Sequence, residues 1–141
     1  MRNLLLFLSL LVFSCQSQRL PEVAEILHHQ WEATKISGTT KMPSFSISPN
    51  MRVQGSDGCN RFMAQAKVDS RVAFEQVAGT KMACAHGVDK VFWTAIDQHD
   101  RWRIKKGNLQ LLKGRKVLMT FASKPKPEAE ADMVGELEES E

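Results

Sequence analysis

Two of the three cysteines, with the four histidines, carry whatever reactive chemistry the domain itself has. Cys59 sits inside "GSDGCNRF", Gly55 to Phe62, a turn bracketed by Gly55 and Gly58. Cys84 sits inside "GTKMACA", Gly79 to Ala85. The histidines are His28, His29, His86 and His99. A cysteine next to such residues has four chemical fates: nucleophile, metal ligand, half of a disulfide, or a small buried filler. A nucleophile needs an activating base and a third group that orients the base, and no spacing here supplies that set. A structural zinc needs four ligands in a workable spacing. His86 lies two residues after Cys84, yet no CxxC or HxxxH pattern is present. The expectation is therefore no catalytic residue, no metal and no cofactor. His28 and His29 read as a strand-edge pair, and His86 and His99 as helix-end residues. The disulfide and the pair of reduced, buried thiols both stay open at this point.

The redox compartment bears on that choice. The chain begins "MRNLLLFLSLLVFSCQSQ". Arg2 is a basic n-region and Leu4 to Phe13 a short apolar run. That run is well below the ~20 residues of a spanning helix and matches the h-region of an export signal. Val12, Phe13 and Ser14 before Cys15 resemble the bacterial lipoprotein box. On this reading residues 1–14 are removed and Cys15 carries the acyl chains, palmitate among them, that anchor the protein to a membrane. An ordinary cleaved signal that precedes a cysteine is the alternative. Gln16 stands where an Asp would retain a lipoprotein at the inner membrane. The expected location in a Gram-negative cell is therefore the outer membrane, facing the periplasm.

Charge divides the remainder. Residues 16–123 carry a balance of +7, whereas residues 124–141 carry −5. "KPKPEAEADMVGELEESE" has too few large apolar residues to offset its ordering entropy and is expected to be a disordered acidic tail. A sharper hypothesis has it fold back on the basic body. Nucleic acid is not an expected partner: the cations are scattered, and no helix-turn-helix, zinc finger or RNP-like motif occurs. Attraction to anionic head groups fits better, because only a linker, residues 15–20, separates domain from membrane. Residues 21–123 form the one domain, long enough for a single core. Trp31, Trp93 and Trp102 help to supply that core.

The elements that must position the cysteines follow from periodicity. Pro21 and Glu22 open a short helix or turn. A strand is expected around Trp31, Ala33 and Lys35. Phe45 and Ile47 alternate, Pro49 and Asn50 turn, and Met51 and Val53 return on one face. "RFMAQAKV" and "RVAFEQV" are the next strand pair. Val88, Val91, Phe92, Ala95 and Ile96 form one helical stripe, with Trp93 at its rim. Three alternating runs then follow: Trp102/Ile104, Leu109/Leu111, and Val117/Met119/Phe121. "KGN" and "KGRK" separate them. The expected fold is mainly β (α+β): a small curved antiparallel sheet, or a partly open barrel, with one main helix packed on it.

A GCNRF turn, a T-K-M-x-C segment, a helix and a meander ending in "LMTF" stand in that order. Together with "LHHQWEATKISG" they resemble the META domain family, and within it the HslJ-like heat-shock lipoproteins. The resemblance spans about residues 24–122; the long acidic tail departs from it. It implies a small mainly-β fold and links to heat shock, envelope stress and novobiocin tolerance. It offers no catalytic residue to carry over. Gly55, Gly58, Asn60, Arg61, Thr80 and Met82 are its motif positions, read here as structural, with Asn60 and Asp57 bonding nearby turn backbone. In an oxidising periplasm an even pair of cysteines favours a Cys59–Cys84 disulfide, worth ~3 to 3.5 kcal/mol. The function expected is that of a non-enzymatic envelope lipoprotein serving as a binding or scaffold module. Its partner would be an envelope protein. The alternative is an inhibitor-like barrel or one carrying a small apolar ligand in its mouth. A cavity lined by Trp31, Trp102, Phe62 or the methionines would favour the carrier, and a filled interior the scaffold.

Overall fold

A computed structural model of the protein describes residues 20–126. The segments read above as an export signal (1–14), as a lipid-anchored linker (15–20, all but Leu20) and as the tail beyond Lys126 lie outside the described residues. Helix α1 (Leu20–His28) leads directly into strand β1 (His29–Ala33). Strands β2 (Ser44–Ile47), β3 (Arg52–Ser56), β4 (Arg61–Val68) and β5 (Val72–Gly79) follow as successive antiparallel neighbours. A single 3-10 turn, Ala85–Gly87, opens helix α2 (Val88–Gln98). Strands β6 (Arg101–Lys105), β7 (Asn108–Lys113) and β8 (Lys116–Pro125) complete a meander. Among the described residues these eight strands form one antiparallel sheet, in the order β5-β4-β3-β2-β1-β8-β7-β6, curled into a half-barrel. Strand β1 joins the two halves by pairing with β2 on one side and β8 on the other.

Period-two alternation decides what lies inside the curl. Trp31, Phe45, Ile47, Leu109, Leu111 and Phe121 are all at most 1% exposed, and Phe92 and Ile96 of α2 pack into the same core. Phe45 meets Phe121 edge-on at 5.2 Å, and Phe62 meets Trp93 at 4.8 Å. Burial of each such side chain contributes about 1.5–3 kcal/mol. A register shift falls between Leu111 and Leu112, and Leu112 is buried as well as Leu111 where strict alternation would expose it.

The structure differs from the sequence-based expectations at five places. Strand β1 ends at Ala33, and Lys35 is exposed outside it. Met51 is not on β3: it sits in the β2–β3 turn with φ of 62°, its N–H bonded to Ser48 O at 2.8 Å. His28 and His29 are not an edge pair, because β1 is central; His28 ends α1, and His29 Nδ1 donates to Glu25 O at 3.1 Å. Val91 is 46% exposed. The buried row of α2 is Val88, Phe92, Ala95 and Ile96. At 100° per residue, Val91 lies roughly 85° from the centre of that row, at the rim of the covered face. Strand β8 continues to Pro125, two residues into the segment read as tail. Lys126 Nζ then donates to Leu27 O and Ile47 O, both at 3.1 Å.

Candidate functional site

The two cysteine motifs converge. Cys59 and Cys84 are joined by a disulfide with Cα atoms 5.7 Å apart. Around it the polar residues of the turn form a closed network. Asp57 Oδ1 accepts the N–H groups of Cys59 (3.0 Å) and Asn60 (2.7 Å), and Oδ2 accepts the indole N–H of Trp93 at 2.9 Å. Asn60 Oδ1 accepts from Met82 N at 2.7 Å and from the Thr80 hydroxyl at 3.0 Å, while its Nδ2 donates to Cys84 Sγ at 3.2 Å. The side chain of Asn60 thus bonds a segment 20 to 24 residues away; of the two, only Asp57 does the local work expected of a turn residue. Both are buried, at 8% and 4% exposure, and buried polar groups persist only when satisfied. Thr80 and Met82 contribute through hydroxyl and backbone, and the side chain of Met82 points to solvent, 61% exposed.

Two glycines of the motif are forced. Gly58 has φ of 93°, and a Cβ there would stand 2.7 Å from Val88 Cγ2. Gly55 faces Phe62 across β3 and β4, and a Cβ would stand 2.4 Å from Ser44 O. The cluster is therefore a joint that ties the β3–β4 turn to the start of α2. It holds no base beside a sulfur. His86, with φ of 60°, is exposed, and among the described residues no three His, Cys, Asp or Glu side chains gather as a metal site would need.

His99, expected as a helix-end residue, is 1% exposed. Its Nδ1–H donates to Ala95 O at 3.1 Å and its Nε2 accepts Val72 N–H at 3.0 Å, so the neutral ring is the form that fits. Burial holds its pKa below the usual histidine value. Nothing in the local sequence signals this, because Val72 lies 27 residues away.

An open trough lies on the opposite face of the sheet. Where Phe45 and Ile47 point inward, Ser44 and Ser46 of β2 point outward. Pairing aligns Gln30, Ser46, Gln54, Met63 and Ala78 in one row across five strands. A second row runs Glu32, Ser44, Ser56 and Arg61. Short serines between longer neighbours leave a trough of about 960 Å3 along β2. Gln30 and Lys126 flank it on one side; Arg52, Gln54, Arg61 and Met63 flank it on the other. No carboxylate, imidazole or thiol is among its lining residues. Hydroxyls, amides and two guanidinium groups can bind anionic oxygens, with Arg well suited to bidentate contacts, but they provide no acid–base pair. Sequence reasoning placed Arg61 in a structural motif and passed over Arg52, Gln30 and the serines. Their common face emerges only from strand register.

The family model for the META domain matches residues 24–126. The chain belongs to the META domain family. Two solved structures share the fold of this META domain. An NMR structure of a protein from Burkholderia xenovorans is 17% identical, with a TM-score of 0.57, covering 80% of this chain and 94% of that one. A second NMR structure is 21% identical, with a TM-score of 0.54, covering 70% and 92%. No curated protein matches the chain.

Proposed function

We propose that this META domain is a non-enzymatic binding module of the cell envelope that presents the outer trough along β2 to an anionic partner. One observation carries the proposal: the inside of the curl is filled, and the open surface is outside it. Of the residues that would line a carrier's cavity, Trp31 and Trp102 are 0% and 6% exposed within the packed core, whereas Phe62 and Met63 border the outer trough. The trough carries Arg52, Arg61 and Lys126 with hydroxyl and amide groups around a largely apolar floor that includes Met63 and Ala78. The export signal and the residues around Cys15 support a lipid anchor that holds the module at the periplasmic face of the outer membrane. The family resemblance supports a role under envelope stress.

The test is fluorescence anisotropy of a labelled peptide of alternating Glu and Ala, titrated with the full chain at low salt. Arg52→Gln with Arg61→Gln should weaken binding at least tenfold. Both side chains are exposed, so the fold is spared. Equal binding by the double variant would remove the trough as the recognition surface.

A further inference from the structure

The last described residue, Lys126, is itself part of the trough's lining. The chain therefore leaves the fold at the groove. Beyond it lie 15 residues, "PEAEADMVGELEESE", with seven carboxylate side chains and no Lys or Arg. The groove presents Arg52, Arg61 and Lys126. Glu32, the next outward residue of β1 after Gln30, is already paired with Lys124 at 3.7 Å. Charge and exit point are thus complementary.

We propose that the acidic C-terminal segment, residues 127–141, docks in cis along the outer trough of β2, so that an external anionic partner must displace it. This rests on the trough being a binding surface. Length permits it: 15 extended residues reach about 50 Å, and the five strands from β1 to β5 span about 19 Å. Tethering at Lys126 raises the local concentration of the tail to the order of millimolar, so weak individual contacts suffice to keep the groove covered. The tail then acts as a competitor, and only partners that contact the groove more extensively gain access.

The experiment compares the full native chain with a full chain whose seven tail carboxylates are amides: Glu128→Gln, Glu130→Gln, Asp132→Asn, Glu136→Gln, Glu138→Gln, Glu139→Gln and Glu141→Gln. Amide chemical shifts and affinity for the Glu/Ala peptide are measured on both at low salt. The expected result is shifts at Ser46, Gln54 and Ser56, none at Arg103, and at least tenfold tighter peptide binding by the neutralised chain. Unchanged groove shifts with equal, measurable affinities would overturn cis docking and leave the binding surface standing. Shifts gathered on residues 101–116 would also overturn it, since the tail would then sit on another basic surface. Unchanged shifts with no peptide binding by either chain would overturn both.

Discussion

At the scale of single residues, Asn60 shows how one buried amide can replace an element of secondary structure. The segment between β5 and α2 has no strand partner; Asn60 gives it an acceptor for Met82 N–H, an acceptor for the Thr80 hydroxyl and a donor toward Cys84. Removing one partner of a buried hydrogen bond costs about 1–3 kcal/mol. Asn60→Ala should therefore lower stability by about 2 kcal/mol, read as a drop in the urea midpoint with the slope unchanged. An unshifted midpoint would mean that the disulfide alone holds the segment. The residue type was legible as a turn former, because Asn beside Gly suits a turn. Its true partners were not, since a side chain bonding 20 to 24 residues away leaves no local pattern.

At the scale of elements, the joint between the β3–β4 turn and α2 combines a covalent link, a forced glycine and an aromatic contact. The disulfide spans a sequence separation of 25. In the chain-entropy model, closing such a loop stabilises by about 3.5 kcal/mol. Cys59→Ser with Cys84→Ser should lower the unfolding free energy by about that amount, measured by denaturant titration under non-reducing conditions. Gly58→Ala should cost about 1–3 kcal/mol, because the new Cβ meets Val88 at a left-handed backbone position. Trp93 completes the joint: its ring stacks edge-on against Phe62, and its N–H reaches Asp57. The helix was visible from its 3.6-residue period and Trp93 from its place at the rim. Val91 was misplaced because periodicity gives the direction of an apolar face, whereas the sheet beneath decides how wide a face is covered.

At the scale of the whole molecule, the curl leaves two edge strands, β5 and β6, that do not pair with each other. Side chains tie the β5 end to β6 and to the C-terminal end of α2. Trp102 Nε1 donates to Asp69 O at 2.9 Å, Arg71 Nη2 donates to Asp97 O at 2.8 Å, and His99 links Val72 to Ala95. Because burial lowers the pKa of His99, the unfolded chain binds more protons than the folded one between the lowered value and about 6.5. Stability is then full above about pH 6.5 and falls as pH drops through that window. Thermal unfolding across pH 5–8 should show this slope in the native chain and lose it in His99→Gln; an identical slope in both would assign it to another group. Anchoring is tested at the same scale. Cys15→Ser should move the protein from the detergent-extracted membrane fraction to the soluble periplasm and abolish incorporation of labelled palmitate. What the sequence determined by itself was whatever has a short period or a short motif: alternating strands, glycine turns, the stripe of α2 and the family. Those signals arise between residues within a few positions of one another. The tertiary structure alone decided the neutral bridge at His99, the distant partners of Asn60 and the cationic trough. Each of these depends on register and curl, which bring together side chains that no local spacing connects.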